Sequence, residues 1–307
     1  MSFRPDPELF PFTSRWLTLA DGTRIHYVDE GSGPVLLLLH GNPAWSFLYR
    51  KIIPRLSRRF RCIAPDLPGF GLSTARSGYG YTAREQSEAI VAFIDTLDLS
   101  GAGVMMQDWG GPIGLAATLA RPDRIDRLII GNTFAGPFRR RGPRVFSAIM
   151  GGPAGRFAAW SFNGVVRWFF TVGVMNKLTR AEWAMYLAPF RQHDTRRPTA
   201  IFPRQLVGAG PFLSRIKAAL PEIADKPALI LWGDSDFAFK TVERDQFRAA
   251  FPNHRNITLR NAGHFIQEDA PGPICEAIEA WYADDLAILP PPNTAVTQGT
   301  YPGETNV

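Results

Sequence analysis

The stretch from Gln107 to Gly111, QDWGG, decides the fold. A buried strand predicted at 104–107 runs directly into a helix predicted at 110–120, and Asp108 lies in the tight turn between them. This arrangement is typical of a nucleophile elbow, in which Asp108 takes the place that a serine usually holds. Gly110 has the small size that the turn requires two residues after the nucleophile, whereas Met106, two residues before it, departs from the pattern.

Alternating strands and helices extend on both sides of this turn. A hairpin about an Asp-Gly turn comes first, with strands at 16–20 and 24–29. Strands are then predicted at 35–40, 61–65, 127–130, 228–232 and 257–260, and helices at 46–58, 81–97, 242–250 and 273–284. Repeated strand–helix units predict a parallel sheet covered by helices.

The segment 134–215, which we call the cap, interrupts this alternation. It is mostly helical in pattern and rich in aromatic residues, which indicates a helical insertion between two strands. We therefore predict a core domain of residues 1–133 and 216–288 and a cap domain of residues 134–215. The proline-rich end, 289–307, predicts a flexible tail.

The cap also concentrates the positive charge. It contains thirteen basic and two acidic residues, a net charge of +11, while the whole chain carries +6 and the remainder therefore carries −5. Such a block could attract a nucleic acid, an anionic lipid or an anionic substrate, or it could be a solvated face whose arginine stems cover apolar surface. No nucleic-acid-binding motif accompanies the charge, and we expect the solvated face.

Composition excludes several classes of protein. With 307 residues, 45% of them hydrophobic, the chain can bury a large core. No apolar run reaches the roughly 18 to 20 residues of a membrane span, and the N-terminal sequence does not resemble a secretory signal. Cys62 and Cys275 are too far apart in sequence for a metal or redox motif. We expect a cytoplasmic protein without metal, with no stable membrane insertion and with homo-oligomerisation left open.

Four loops hold the residues that can carry chemistry, and each follows a predicted strand. They are HGNP at 40–43, QDWGG at 107–111, WGDSD ending at Asp236 and AGH ending at His264. Open α/β sheets place their sites at the carboxyl ends of strands. The order of Asp108, Asp236 and His264 along the chain is the hydrolase order of nucleophile, acid and histidine.

These four motifs, together with AGHFIQEDAP at 262–271, resemble the α/β-hydrolase family and, within it, the haloalkane dehalogenases of the third subfamily. The resemblance implies a mostly parallel eight-stranded sheet with one antiparallel strand, a helical cap after the sixth strand, and no cofactor. It also implies that Asn42 and Trp109 bind the departing halide through their side chains and form the oxyanion hole through their backbone N–H groups.

The chemistry of dehalogenation independently explains why these residue types are present. A serine that displaced a halide from saturated carbon would form an ether, whereas Asp108 forms an ester that water can cleave. His264 would activate that water, and Asp236 would hold the imidazole in its working tautomer. The expected partners are a small apolar halogenated substrate, a halide ion and water. We expect Phe162, Trp168, Phe169, Val172 and Met175 of the cap to line the site.

Three alternatives stay open to different degrees. A β-lactone decarboxylase would use the same five residues, and the sequence does not separate it from a dehalogenase. An epoxide hydrolase is less favoured because such enzymes use cap tyrosines and Tyr186 is the only tyrosine between 134 and 215. A non-catalytic ligand-binding protein is disfavoured by the intact Asp108, Asp236 and His264 set.

Overall fold

The computed structural model describes residues 3–288, so the tail predicted at 289–307 lies outside the described residues. One sheet of eight strands runs through the core, in the order β1-β2-β4-β3-β5-β6-β7-β8. The strands are β1 Arg15–Thr18, β2 Arg24–Glu30, β3 Val35–Leu39, β4 Arg61–Pro65, β5 Ala102–Asp108, β6 Ile125–Thr133, β7 Ala228–Gly233 and β8 His254–Leu259.

The sheet is parallel except at β2. That strand pairs in the antiparallel sense with both β1 and β4, and every other neighbouring pair is parallel. Strands β5 and β7 are buried along their whole length, as expected for a sheet covered on both faces. The predicted fold class, a mostly parallel eight-stranded sheet, is confirmed.

Twelve α-helices are described between residues 3 and 288. They are α1 Ile53–Leu56, α2 Ala83–Thr96, α3 Gly110–Ala120, α4 Arg141–Met150, α5 Pro153–Phe162, α6 Gly164–Val172, α7 Arg180–Leu187, α8 Arg197–Gly208, α9 Gly210–Ala219, α10 Thr241–Ala250, α11 Ile266–Asp269 and α12 Pro271–Ile288. Short 3₁₀ helices lie at Ser46–Tyr49, Ala188–Phe190, Asp194–Arg196 and Leu220–Ile223. In the described part of the chain, no helix has both the length and the apolar character that crossing a membrane requires.

The prediction of one continuous helix at 46–58 is wrong. A 3₁₀ helix at Ser46–Tyr49 and the short helix α1 take its place. Pro54 explains the break, because a proline has no backbone N–H to bond the carbonyl of Arg50 and its ring clashes with that carbonyl, so Pro54 fits only in the first turn of a new helix. The predicted strand at 257–260 also begins earlier, at His254.

Helices α4 to α8 lie between β6 and β7, where the sequence predicts the cap. The predicted boundary at 215 and 216 falls inside α9, whose Leu213 and Ile216 are buried and which contacts α3 of the core. The division into core and cap stays a prediction.

Candidate active site

The turn after β5 has the geometry of a nucleophile elbow. Asp108 has a φ of 51°, in the left-handed region that non-glycine residues rarely adopt. A Cβ atom on Gly110 would lie 2.4 Å from the carbonyl oxygen of Leu39, so only glycine fits there. Met106 is accommodated because α3 has Gly114 opposite it, where a Cβ atom would already lie 3.3 Å from the Met106 sulfur.

The Asp108 carboxylate is held between the loop at 40–43 and His264. Its Oδ1 accepts a hydrogen bond of 2.7 Å from the backbone N–H of Asn42, and its Oδ2 lies 3.6 Å from His264 Nε2. A Cβ atom on Gly41 would lie 2.3 Å from Oδ1, which explains the glycine in HGNP. The loops predicted from sequence to meet do meet at this carboxylate.

His264 is fully buried and is bound on its other side by Asp236. Its Nδ1 lies 3.3 Å from both carboxylate oxygens of Asp236. Burial by itself lowers the pKa of His264, but the negative charges of Asp236 and Asp108 outweigh it and raise the pKa to about 10. The two neighbouring carboxylates therefore favour the protonated form of the imidazole.

Two polar residues at this site were not predicted as functional residues from the sequence. Gln107 donates from Nε2 to the His264 carbonyl over 3.1 Å, and the same nitrogen lies 3.2 Å from His264 Nε2. Asn132, at the end of β6, donates to the carbonyl of Gly263 over 2.7 Å and accepts from the N–H of Gly233 over 2.9 Å. Asn132 thus ties the strand before Asp236 to the loop of His264. The only sequence signal was position, because each lies at the end of a strand beside a catalytic candidate.

A cavity of about 270 Å³ opens above Asp108. Its lining is mostly apolar and comes from the core loops, the segment after β6, and helices α4, α6 and α8: Asn42, Asp108, Trp109, Phe138, Arg140, Gly142, Pro143, Phe146, Trp168, Phe169, Pro203, Leu206, Phe237, Ala238 and Phe239. The size suits a small ligand. No tyrosine of the described residues lines it.

The prediction of the cap lining is correct for Trp168 and Phe169 and wrong for Phe162, Val172 and Met175. The last three do not line the cavity, and between 41% and 64% of their surface is exposed. Cap helices are apolar on both their inner and outer sides, so hydrophobicity alone did not identify the inward side.

The side chains of Asn42 and Trp109 line the cavity together with Asp108. The Trp109 ring makes edge contacts with Phe134 and Phe202, at centroid distances of 5.0 and 5.2 Å. Among the described residues, the Asn42 Oδ1 atom is buried without a hydrogen-bond partner. The Asn42 carboxamide is thus not committed to a structural hydrogen bond through that atom.

Among the residues that the structure describes, Arg140 is the one charged cap residue in the cavity wall. Its guanidinium forms a two-pronged ion pair with Glu243 of α10, with distances of 3.0 and 2.8 Å, and also donates to the carbonyl of Ala238 over 3.2 Å. The pair neutralises the charge at the cavity and fastens the start of the cap to the core. Among the described residues, no group of three His, Cys, Asp or Glu side chains could hold a metal ion.

Comparisons with known proteins agree with this geometry. The family model described as the alpha/beta hydrolase fold matches residues 34–271. Haloalkane dehalogenase 2 of Mycobacterium tuberculosis is 44% identical over 91% of this chain and 98% of its own. A cis-3-alkyl-4-alkyloxetan-2-one decarboxylase of Xanthomonas campestris is 32% identical, over 89% of this chain and 96% of its own.

Solved structures of haloalkane dehalogenases are also similar to this chain. The crystal structure of haloalkane dehalogenase DbeA from Bradyrhizobium elkani matches with a TM-score of 0.83 at 26% identity, covering 91% of this chain and all of that one. An ancestral haloalkane dehalogenase, AncHLD2, matches with a TM-score of 0.81 at 30% identity. The chain belongs to the α/β-hydrolase fold family and, within it, to the haloalkane dehalogenases.

Proposed function

We propose that this protein hydrolyses haloalkanes to an alcohol and a halide ion through a covalent ester on Asp108. One observation carries the proposal: the Asp108 carboxylate faces an apolar cavity, between the side chains of Asn42 and Trp109 and the buried pair of His264 and Asp236. The family relatives named haloalkane dehalogenase support the same reaction.

In the first step, Oδ2 of Asp108 attacks the carbon that bears the halogen. A carbon–oxygen bond forms as the carbon–halogen bond breaks, and the electron pair leaves with the halide. Oδ1 is the less suitable attacking atom because it accepts the Asn42 N–H bond. No proton moves in this step, so a protonated His264 does not impede it. The indole N–H of Trp109 and the Asn42 carboxamide would stabilise the developing halide charge.

In the second step, a water molecule attacks the Cγ carbon of the ester, and His264 takes its proton. Oδ1 becomes the oxyanion and keeps the Asn42 N–H as a donor. The ester oxygen leaves with the alkyl group and is protonated to the alcohol. Esterification itself prepares the base: it removes the Asp108 charge, which is one of the causes that raise the His264 pKa. With its pKa lowered in this way, His264 releases a proton to solvent water, and the neutral ring can then accept the proton of the attacking water.

Decarboxylation of a β-lactone is the second candidate, because relatives 32% identical to this chain carry that name. The 44% identity to haloalkane dehalogenase 2 favours dehalogenation. The test is a halide-release assay on short and medium-length haloalkanes beside an olefin assay on a cis-β-lactone. We expect halide and alcohol in equal amounts. Olefin from the lactone without halide from any haloalkane would overturn the proposal.

The cavity supports a preference for small apolar substrates without a carboxylate, since its one cation, Arg140, is paired with Glu243. The absence of a tyrosine from its described lining argues against epoxide opening by tyrosine acids. We also infer a cytoplasmic location, which the two free buried cysteines, Cys62 and Cys275, support.

A further inference from the structure

The cap carries two adjoining grooves on its outer surface that the reaction does not use. The first lies between α4, the start of α5 and α8, and the second between α5 and α8. They share Pro153 and Arg156, so they form one continuous surface, which we call the basic face. Five arginines line it, Arg141, Arg144, Arg156, Arg197 and Arg204, and neither groove is lined by an acidic residue.

The charge of the basic face is not neutralised by the protein. In residues 3–288, none of these five guanidinium groups forms an ion pair with a carboxylate. Arg140 and several arginines of the core do form such pairs. Arg141 also lies at the amino-terminal end of α4, where the helix dipole disfavours a cation. An external anion would compensate both features.

Large apolar side chains are exposed on the same face. Of the eleven exposed large hydrophobic residues in the described chain, nine lie between 134 and 215. Val145, Phe157, Trp160 and Val207 line the two grooves, and from 42% to 64% of their surface is exposed. Arginine mixed with exposed tryptophan, phenylalanine and valine is the composition of surfaces that rest in the headgroup region of a bilayer.

We propose that the basic face docks this protein on an anionic lipid bilayer. Charge complementarity selects this occupant: phosphate headgroups satisfy the arginines while the apolar side chains enter the boundary of the acyl region. A second copy of the chain is disfavoured because it would bring five more unpaired arginines against the first five. A nucleic acid would leave Val145 and Val207 without apolar partners.

Docking would bring the membrane close to the catalytic cavity. Pro143 and Phe146 of α4 and Leu206 of α8 line that cavity, while Arg144, Arg204 and Val207 on the same two helices line the basic face. These helices form a wall with the cavity on one side and the bilayer on the other. Resting on the proposed function, this geometry points to lipophilic haloalkanes that partition into the membrane as the natural substrate class.

The test is co-sedimentation of the full chain with vesicles of phosphatidylcholine alone or of phosphatidylcholine with phosphatidylglycerol. We expect binding to the anionic vesicles only, lost near 1 M salt, where the screening length falls to about 3 Å. Each surface arginine should contribute roughly fivefold to partitioning, so R144Q/R156Q/R204Q should bind about a hundredfold more weakly. The matched control R180Q/R191Q/R215Q removes the same charge from exposed cap positions that line neither groove and should keep most of the binding.

The proposal would be overturned by equal binding to both vesicle types, by equal loss in both triple variants, or by no binding to either vesicle. Tighter binding of wild type to single-stranded RNA than to anionic vesicles, or an oligomer in sedimentation velocity that only R144Q/R156Q/R204Q dissociates, would assign the face to another occupant and also overturn it. Turnover of a short, water-soluble haloalkane in the absence of vesicles should be equal in all three proteins. That assay tests the proposed function separately from the docking, and thermal unfolding followed by circular dichroism confirms that the variants fold.

Discussion

The core and the cap use the same residue type in opposite ways. Several partly exposed arginines of the core form ion pairs with carboxylates, as in the pairs Arg61 with Asp29 and Arg121 with Asp95, at 2.7 and 2.6 Å. Most cap arginines have no carboxylate within reach in the described residues, and the cap also exposes most of the large apolar side chains. The core thus neutralises part of its own charge through ion pairs, whereas the cap leaves its arginines and apolar side chains available to external molecules.

The two regions meet in a buried cluster of charges. Arg50, beside the 3₁₀ helix at 46–49, contacts Glu268 of α11 and Glu182 of α7, and Tyr186 of α7 donates to Glu268. Burial raises the pKa of Glu182, but hydrogen bonds from Thr179 and Arg50 outweigh it and lower the pKa to about 2. This cluster joins α7 of the cap to α11, which begins two residues after His264, and none of its residues lines the cavity.

The largest effect is expected where the core holds the nucleophile. Asp108→Asn should abolish turnover, a loss of at least about 10⁴-fold, because a carboxamide cannot form the ester. Steady-state halide release measures it, with circular dichroism as the control for folding. Full activity in Asp108→Ala, which cannot revert by deamidation, would remove Asp108 from the mechanism.

Removing one donor to the leaving halide should have a smaller effect. Trp109→Phe keeps the edge contacts with Phe134 and Phe202 but loses the indole N–H, and it should lower kcat about 10²- to 10³-fold. Bromide should also quench tryptophan fluorescence less in this variant than in wild type. Trp168→Phe, which alters a cavity wall without touching the proposed halide site, serves as the control. Equal quenching in wild type and Trp109→Phe would contradict the assignment.

The free energy of unfolding can test whether the buried charge cluster joins the core and the cap. Arg50→Met leaves the buried Glu268 and the half-buried Glu182 without their main cation and should lower the free energy of unfolding by about 3 kcal/mol. Arg141→Met, on the outer surface of the cap, should change it by less than about 0.5 kcal/mol. Denaturant unfolding of both variants beside wild type measures the difference. Similar stabilities for the two variants would mean that the buried cluster does not join the two regions.

The pH dependence of stability reports on His264 within the core. Its pKa is raised from about 6.5 in the unfolded chain to about 10 in the folded protein, so between these values the folded state binds more protons. The stability due to His264 is therefore complete below about pH 6.5 and is lost as the pH rises toward 10. In His264→Gln this contribution is absent, so its denaturant midpoint should approach that of wild type over this window. A constant difference between the two proteins would contradict the raised pKa.

Local patterns were sufficient to predict the catalytic candidates. Asp108, Asp236 and His264 each follow a buried strand of a parallel sheet, and the carboxyl ends of such strands meet at one edge. The break in the helix predicted at 46–58 could also have been predicted from the sequence, because Pro54 lies within that range.

Other features depend on tertiary structure and could not be predicted in the same way. Gln107 and Asn132 act through hydrogen bonds to residues more than 100 positions away, so their place at the end of a strand does not reveal their partners. The inward side of each cap helix depends on how the helices pack on the core, which is why Phe162 was placed in the lining although 64% of its surface is exposed. The arginines of the cap were counted correctly, but only the structure gathers five of them on one face.

The central claim is that chemistry proceeds in two steps through an ester on Asp108, with His264 required only for the second. The most direct measurement is the intact mass of His264→Gln after incubation with a haloalkane that the wild type consumes, followed by peptide mapping. The account predicts one alkyl group added per chain, located on Asp108, with a single equivalent of halide released. A folded variant that binds the substrate but shows no added mass, or that releases halide continuously, would contradict it.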